Sequence, residues 1–506
     1  MVSNVVHAAL CGTLVLLLSN PLASQEVHSH SASERLGTIA FSTTCKPAVQ
    51  KEFERAVALL HSFAYSSAEA SFKDVAATDP NCAIAHWGIA MTYFHQLWDP
   101  PMEAEAFNMA QQEIRRARQL GTRSGRERDF IDALAFVYDE AAPYQKRVLN
   151  YAAAMEKLAA AHREDSEAQV LYALALLAVS SPLDKTHARQ RQAFGILEPL
   201  YREYPQHPGT AHYLIHACDN GELASRGLAA ALAYSKIAPS VPHALHMPSH
   251  IFTRLGMWSD SINSNRAARI AAHQQGDTGE ELHAMDYLVY AYLQEGRERE
   301  ANEVVQQLKQ MQSLDERDFK VAYASTAMPV RYAIERRQWA EAASVAPPQG
   351  APLHVIAIAV WGRALGLARG GDPAQARTEI DRLHQLEQQV RTAGSEYWAT
   401  QIGIQAMEAS AWLAQAEGKA DDARNLLRKA ADEEDAMEKL PVTPGPIVPA
   451  REQLGDLLLV QHEPKLAATE FRRALSNAPK RRGALSGLSR AAELVAGGQQ
   501  RDNAPR

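Results

Sequence analysis

Apolar residues recur every three or four positions along most of the chain, in segments of helical length that end at glycine or proline. The first two such segments cover residues 53–59 and 68–72, and the second ends before Pro80. Alternating runs of β-branched residues, which would indicate strands, do not stand out. The pattern therefore predicts an all-α protein built from helical hairpins.

The hairpins keep a regular period in the middle of the chain. The small residues Ala193, Gly227 and Ser261 follow one another at intervals of 34 residues, and Pro205 and Pro239 have the same separation. Glycine adopts the left-handed conformation without steric strain, so it often ends a helix. Glycines at such predicted turns are Gly256, Gly296, Gly371 and Gly418.

The small residues, the glycine turns and the 34-residue period together resemble the tetratricopeptide-repeat (TPR) family over residues 45–495. Residues 120–175 fit the pattern least well. The resemblance implies an α-solenoid, a right-handed superhelix of roughly eight to ten helical hairpins. It also implies a concave groove in which ligands bind.

Two histidine pairs are separated by the same 34-residue period. His212 and His216 lie in one repeat, and His246 and His250 lie in the next. Residues four apart on a helix share one face. If both pairs hold equivalent positions in neighbouring repeats, their imidazoles lie together on one wall of the array.

The TPR resemblance implies which surface of the array these histidines face. With Gly256 taken as the end of a first helix, both pairs, together with His243 and Asp219, fall at positions that line the concave groove in that family. When the register of other repeats is set anew at Gly296, at Ala342 and near the N-terminus, further polar and aromatic residues fall at groove positions, namely His283, Asp286, Tyr290, Arg331, Trp87 and His95. Pro248 interrupts the helix between His246 and His250, so we expect a bend between them.

Histidines three or four apart on a helix can bind one transition-metal ion, and a neighbouring helix can supply further nitrogens. The expected ligands of a zinc or copper ion are His212, His216, His246 and His250. Asp219 or Asp286 would serve as an oxygen ligand or would orient an imidazole. Such an ion can activate water or oxygen, so a metal-dependent hydrolase or oxidoreductase is an alternative function.

Three other interpretations of the histidines remain open. A metal-free groove would bind a small molecule or an anionic or peptide ligand through Arg331 and partly protonated histidines, as in an interaction scaffold. Acid–base catalysis would use a pair such as His216 with Asp219 or His283 with Asp286. Alternatively, the imidazoles are hydrogen-bonded core residues. No phosphate-binding loop, His-Glu-x-x-His motif or nucleophile elbow occurs in the chain.

The N-terminus carries an apolar run at residues 5–18, followed by small residues before Gln25. The run has the length of a signal-peptide core, although the usual Lys or Arg before it is missing. We therefore expect a signal peptide at residues 1–24 and a periplasmic or secreted protein. A flexible segment (25–44), the helical array (45–495) and a disordered tail (496–506) would follow. We expect no stable membrane span once the signal is removed.

Charge and cysteine content limit the classes of binding partner that we expect. The formal net charge of −7 and the absence of a basic stretch exclude nucleic acid as an expected partner. A cell-envelope protein is a candidate partner if the chain is exported. Cys45, Cys82 and Cys218 remain outside the predicted signal, and Cys45 and Cys82 could pair in an oxidising compartment. The proline-rich residues 440–449 cannot form a helix and would either cross the groove or act as a spacer.

Overall fold

The computed structural model describes residues 34–97 and 102–502, with side chains described to residue 497. Within these residues the regular secondary structure is helical, and no β-strand is present. The predicted signal peptide lies outside the described residues.

The first part of the chain forms a 3₁₀ turn at Pro47–Val49 and then α1 (Gln50–His61), α2 (Tyr65–Thr78), α3 (Ala83–Thr92), α4 (Ala104–Leu120), α5 (Gly125–Ala135), α6 (Tyr144–Ala161), α7 (Ser166–Ala178), α8 (Ala188–Glu203) and α9 (Pro208–Cys218). The middle part forms a 3₁₀ turn at Ala224–Gly227 and then α10 (Leu228–Ile237), α11 (Pro242–His246), α12 (Pro248–Arg254), α13 (Trp258–Gln275), α14 (Thr278–Gln294), α15 (Glu298–Gln310), α16 (Phe319–Glu335) and α17 (Trp339–Ala343). The last part forms α18 (Leu353–Gly370), α19 (Pro373–Thr392), α20 (Glu396–Ala416), α21 (Ala420–Asp435), α22 (Ala450–Val460), α23 (Pro464–Asn477) and α24 (Arg482–Asp502). The predicted C-terminal tail begins within α24.

Successive helices pack against each other, and α14, α16, α18, α20, α22 and α24 also pack against one another in series. Small residues make this stacking possible. Ala193 and Ser261 are fully buried, and a Cβ atom on Gly455 would collide with the ring of Phe471. The predicted all-α, TPR-like α-solenoid is confirmed.

The last hairpin returns to the middle of the array. Gly256 has a φ of +64°, as expected for a turn glycine, and a Cβ atom there would collide with the carbonyl oxygen of Pro479. The indole Nε1 of Trp258 donates a hydrogen bond to the carbonyl of Lys480 at 3.1 Å. Contacts also join α14 to α24.

The segment before α1 packs against the array although it has no regular secondary structure. Phe41 is fully buried among the rings of Phe53, Trp87 and Phe130. A disulfide joins Cys45, at the end of this segment, to Cys82 before α3. The described part of the segment that was predicted to be flexible is therefore held in place.

Residues 440–449, which we call the strap, cross the inner surface of the array. Tyr287 Oη donates a hydrogen bond to the carbonyl of Thr443 at 3.2 Å, and Arg331 donates to the carbonyl of Pro446 at 3.1 Å. The backbone N–H of Leu440 donates to Tyr397 Oη at 3.3 Å. Of the two interpretations of this segment, the structure supports the one in which it crosses the groove.

We expect no membrane span outside the signal peptide, but one helix has the length and composition of such a span. Leu353–Gly370 is long and apolar enough to cross a membrane by length and composition, with a mean hydropathy of 1.2 over its 18 residues. Most of this helix is buried inside the protein, where it packs against α16, α17, α19 and α20. The core helix of a repeat array passes the same test.

Candidate metal centre

Six buried histidines on α9, α11, α12 and α14 form two groups of three. The first triad consists of His212, His216 and His243. The second triad consists of His246, His250 and His283. Within each triad, one nitrogen atom from each ring lies within 4.8 Å of those of the other two.

Helical spacing brings these residues together. His212 and His216 lie one turn apart on α9, and the ring of His243 reaches them from the following repeat. α11 ends at His246 and α12 begins at Pro248, and Met247 between them keeps a helical conformation. Because the backbone stays helical across this break, His246 Nε2 lies 3.0 Å from His250 Nε2.

Hydrogen bonds show that Nδ1 donates in two rings of the first triad. His212 Nδ1 lies 2.6 Å from the carbonyl oxygen of His61, which can only accept, so Nδ1 bears the hydrogen. His243 Nδ1 faces the carboxylate of Glu280 at 3.1 Å, so it also donates. A neutral imidazole that donates from Nδ1 carries its lone pair on Nε2, and these two Nε2 atoms face each other at 3.2 Å. His216 Nε2 lies 3.0 Å from His212 Nε2.

The second triad has the same arrangement. His246 Nδ1 lies 2.6 Å from Asn265 Oδ1, and the Asn265 amide is oriented by donating its Nδ2 hydrogen to the carbonyl of Ser261 at 2.8 Å. His250 Nδ1 donates to Asp219 Oδ2 at 2.9 Å. The Nε2 lone pairs of His246 and His250 therefore point at each other across 3.0 Å.

Burial favours the neutral form of five of these rings. It lowers the pKa of His212, His216, His246 and His283 well below the ordinary value of 6.5. The pKa of His250 falls to about 4, because burial outweighs the opposing effect of Asp219. Neutral imidazoles whose lone pairs face each other repel unless a cation lies between them. Two nitrogens each about 2.1 Å from one ion are about 3 to 3.5 Å apart, which matches these separations.

The carboxylate beside His250 is surrounded by cations. Asp219 also accepts hydrogen bonds from Arg254 Nε at 2.9 Å and Lys439 Nζ at 2.6 Å. Burial alone would raise the pKa of Asp219, but Lys439 and Arg254 hold it well below its usual range. In the same way Lys320, 2.7 Å from Glu280, helps to keep the pKa of that buried carboxyl well below 4.5. Both outer carboxylates are therefore ionised.

One aromatic ring covers each triad. Phe63 lies 4.4, 5.9 and 5.5 Å from the rings of the first triad, measured between centroids. Tyr287 lies 4.8, 5.2 and 5.4 Å from the rings of the second triad. Phe63 has a φ of +55°, a conformation that a phenylalanine adopts only when its surroundings impose it. Each ring therefore shields one side of its triad.

The proposed acid–base pairs are not the pairs that the structure forms. Asp219 hydrogen-bonds to His250 of the next repeat, whereas the sequence suggests His216 as its partner. Asp286 lies 3.6 Å from the guanidinium of Arg331 on α16, whereas the sequence suggests His283 as its partner. Burial raises the pKa of Asp286 to about 6, and Arg331 opposes this rise.

The remaining predicted groove residues lie outside the triads. Trp87 is a core residue that contacts Phe41 and Phe130. His95 stacks on Tyr65 at 4.1 Å. Tyr290 lies under the guanidinium of Arg331 and accepts a hydrogen bond from Arg481.

Several residues that shape the site were missed or placed in another role. His243 and His283 were expected to bind a groove ligand, yet each completes a triad. Asn265 and Glu280 were not singled out, although each accepts a hydrogen bond from a triad histidine. The spacing of His243 three residues before His246 was a usable signal. Asn265 comes from α13, and nothing in its local sequence marks it.

Two other clusters of potential ligands have different chemistry. The sulfur atoms of Cys45 and Cys82, close to Asp79, are joined in the disulfide, so neither is a thiolate. A third group, which we call the His–Glu–His cluster, consists of His61, Glu167 and His207. Here the carboxylate lies between the two rings, with one oxygen 2.8 Å from His61 Nε2 and the other 3.0 Å from His207 Nε2.

No protein-family model and no curated protein sequence matches the chain. Solved structures with a similar course include the human IFIT1 dimer with PPP-AAAA, at 11% identity and a TM-score of 0.41, covering 82% of this chain and 91% of that one. The Cut9–Hcn1 hetero-tetramer of the APC/C is 12% identical with a TM-score of 0.36, covering 89% and 77%. Yeast Tom70 is 12% identical with a TM-score of 0.32, covering 88% of each chain. Likeness at this level concerns the course of the helices and carries no argument about function.

Proposed function

We propose that this protein binds two transition-metal ions, copper or zinc, one in each histidine triad of its α-solenoid. The observation that carries the proposal is the pair of facing Nε2 lone pairs in each triad, 3.2 Å apart between His212 and His243 and 3.0 Å apart between His246 and His250. The Nδ1 atoms of these four rings are already used in hydrogen bonds that point away from the centre. A metal cation satisfies all of the converging lone pairs at once.

The donor set limits the choice of metal. Each triad offers three neutral imidazole nitrogens, which suit copper, zinc, nickel and iron better than calcium or magnesium. For such ligands Cu²⁺ binds more tightly than Zn²⁺ in the general order of stability. The acceptors behind the rings, such as Asp219, Glu280 and Asn265, fix ring orientation in the way that outer partners do in metal sites.

Metal analysis of protein purified without a histidine tag tests the proposal. We expect two ions per chain, one for each triad. His212→Ala and His246→Ala should each lose one ion. His354→Ala should retain both, because His354 stacks on Trp398 away from the triads. Wild-type protein that holds no ion after dialysis against copper or zinc and removal of excess metal would contradict the proposal.

A second candidate function is the binding of a small molecule or a short peptide beside the strap. A cavity of about 420 Å³ is lined by Tyr323, His354, Tyr397 and Trp398. Gln405 Oε1 and His354 Nε2, on residues that line this cavity, are buried without a hydrogen-bond partner. A ligand with a planar apolar part and a hydrogen-bond donor would satisfy these groups.

Fluorescence tests this second candidate. Binding of a short aromatic peptide in the cavity should quench the component of tryptophan emission that is lost in Trp398→Phe. Gln405→Leu should weaken the quenching, because the variant removes the acceptor in the cavity. Equal quenching by the same peptides in the native protein and in Trp398→Phe would place their binding elsewhere.

We further propose that the chain is exported to the periplasm or secreted, with a cell-envelope protein as a candidate partner. The disulfide between Cys45 and Cys82 supports an oxidising compartment. N-terminal sequencing of the protein from its natural source tests the signal peptide. We expect a mature chain that begins near Gln25, whereas a chain that retains residues 1–24 would contradict export by cleavage.

A further inference from the structure

A cavity of about 90 Å³ reaches the first triad from outside. Its lining includes Ala178 at the end of α7, Gln190 on α8, His216, Asp219 and Lys439. His216 is the most exposed of the six triad histidines, at 7%, while the other five range from 0 to 4%. The volume has room for a ligand of a few atoms, since one water molecule occupies about 30 Å³ in the liquid.

The second triad does not border this cavity. None of its three histidines lies in the cavity lining, and all three are buried. Tyr287 contacts all three rings, and its hydroxyl is held by the carbonyl of Thr443 in the strap. The two metal positions therefore differ in access although their ligands are of the same kind.

Charge decides which ligand the open position takes. Three imidazole ligands bring no negative charge to a divalent ion and leave a fourth coordination position free. The carboxylate of Asp219 is already engaged by His250, Arg254 and Lys439, and that of Glu280 by His243 and Lys320. Glu438, the other carboxylate in the cavity lining, is engaged by Lys185, His187 and Arg254. An incoming anion is favoured over a neutral or cationic ligand.

We infer that the ion of the first triad binds a small monoanion, which enters through the cavity at His216, while the ion of the second triad stays closed to such ligands. The inference rests on the proposed metal binding. It names the ligand class of the site as anions of a few atoms, such as hydroxide or azide.

Azide binding to protein loaded with Co²⁺ tests the inference. Cobalt stoichiometry is measured first, so that failure of metal binding is distinguished from failure of anion binding. Azide should then change the visible absorption of the bound cobalt and saturate at one equivalent per chain. His283→Ala, which disrupts the second triad, should still bind azide, whereas His243→Ala should retain one cobalt ion and lose the azide response.

A matched pair of variants at Ala178 tests the route. Ala178→Leu adds bulk to the cavity wall and should weaken azide binding about tenfold with cobalt binding unchanged. Ala178→Ser adds little volume and should leave azide affinity near that of the native protein. Cobalt-loaded native protein that binds no azide, or that binds it equally well in both triads, would overturn the inference. Equal azide affinity in Ala178→Leu and Ala178→Ser would overturn the route.

Discussion

Two kinds of histidine cluster lie side by side in this protein. They differ in where the hydrogen-bond acceptors of the buried imidazole rings lie. In the His–Glu–His cluster, His207 Nδ1 accepts a backbone N–H from Thr210, so its Nε2 donates to Glu167. The carboxylate lies between the rings and provides the negative charge. In the triads the acceptors lie behind the rings, and the inner nitrogens face one another. Clustering of histidines alone therefore does not identify a metal site. The proposed metal sites differ from the His–Glu–His cluster in the partner of the second ring nitrogen.

The two regions are physically connected. The carbonyl oxygen of His61, whose ring belongs to the His–Glu–His cluster, accepts the hydrogen bond from His212 Nδ1. The His61 ring is held by Glu167 and by Tyr213 Oη at 2.9 Å. The hydrogen-bonded cluster thus positions a ligand of the first triad.

The largest effect is expected from removing the charge of the His–Glu–His cluster. Glu167→Gln should lower the free energy of unfolding by about 3 to 5 kcal/mol, because it removes the fully buried carboxylate charge to which both imidazoles are hydrogen-bonded. Urea denaturation in the presence of chelator measures this loss without any contribution from metal. Glu113→Gln, at a partly exposed pair with His86, is the control and should change stability by less than about 1 kcal/mol. Equal losses of stability in the two variants would contradict the claim that the buried carboxylate of Glu167 contributes more than the partly exposed carboxylate of Glu113.

Metal removal should have the next largest effect, and it should act through the triads. At a free metal concentration 100 times the dissociation constant, each ion stabilises the folded state by about 2.7 kcal/mol. Chelator should therefore lower the melting temperature of the native protein. The His212→Ala, His246→Ala double variant should show no such shift. A chelator effect that persists in the double variant would assign the metal to another site.

Substitutions of the residues that accept hydrogen bonds from the Nδ1 atoms should have smaller effects, and each effect should be specific to one triad. Asn265→Leu removes the acceptor for His246 Nδ1 and should weaken metal binding in the second triad about 10- to 100-fold. The first triad provides the internal control, because its ion should bind with unchanged affinity. Calorimetric titration resolves the two sites. Unchanged affinity in the second triad would show that Asn265 does not orient its ligand.

The smallest effect is the contribution of the His–Glu–His cluster to the pH dependence of stability. His207 and His61 hold the pKa of Glu167 below 4.5, although its burial acts in the opposite direction. A carboxyl with a lowered pKa binds its proton more readily in the unfolded chain, so the stability that it contributes is lost as the pH falls below about 4.5. The free energy of unfolding should then decrease by about 1.4 kcal/mol per pH unit. Glu167→Gln should lack this component, and an unchanged slope in that variant would contradict the assignment.

The sequence predicted the fold and the ligand-bearing helices because both depend on local period. The 34-residue spacing placed both histidine pairs on neighbouring helices, as the structure shows. It did not predict the partition into two triads, which depends on how the rings approach one another in three dimensions: His243 Nε2 lies 3.2 Å from His212 Nε2 of the preceding repeat.

The structure does not form the acid–base pairs that helical spacing suggests, and the reason for Asp219 can be identified. Asp219 was assigned to the face of His216 by helical spacing, but α9 ends at Cys218 and Asp219 has left the helical conformation. Its carboxylate is therefore free to reach His250. Asn265 illustrates a second limit, because a contact between a second-helix residue and a first-helix histidine has no signature in either segment. The direction of the strap likewise depends on contacts with Tyr287 and Arg331, which are distant in sequence.

Anomalous X-ray diffraction from crystals grown with copper or zinc tests the central claim most directly. The account predicts two anomalous peaks, one among the Nε2 atoms of His212, His216 and His243 and the other within the second triad. It also predicts none at the His–Glu–His cluster. Metal-treated crystals with no peak in either triad, or with a peak only between His61 and His207, would contradict it.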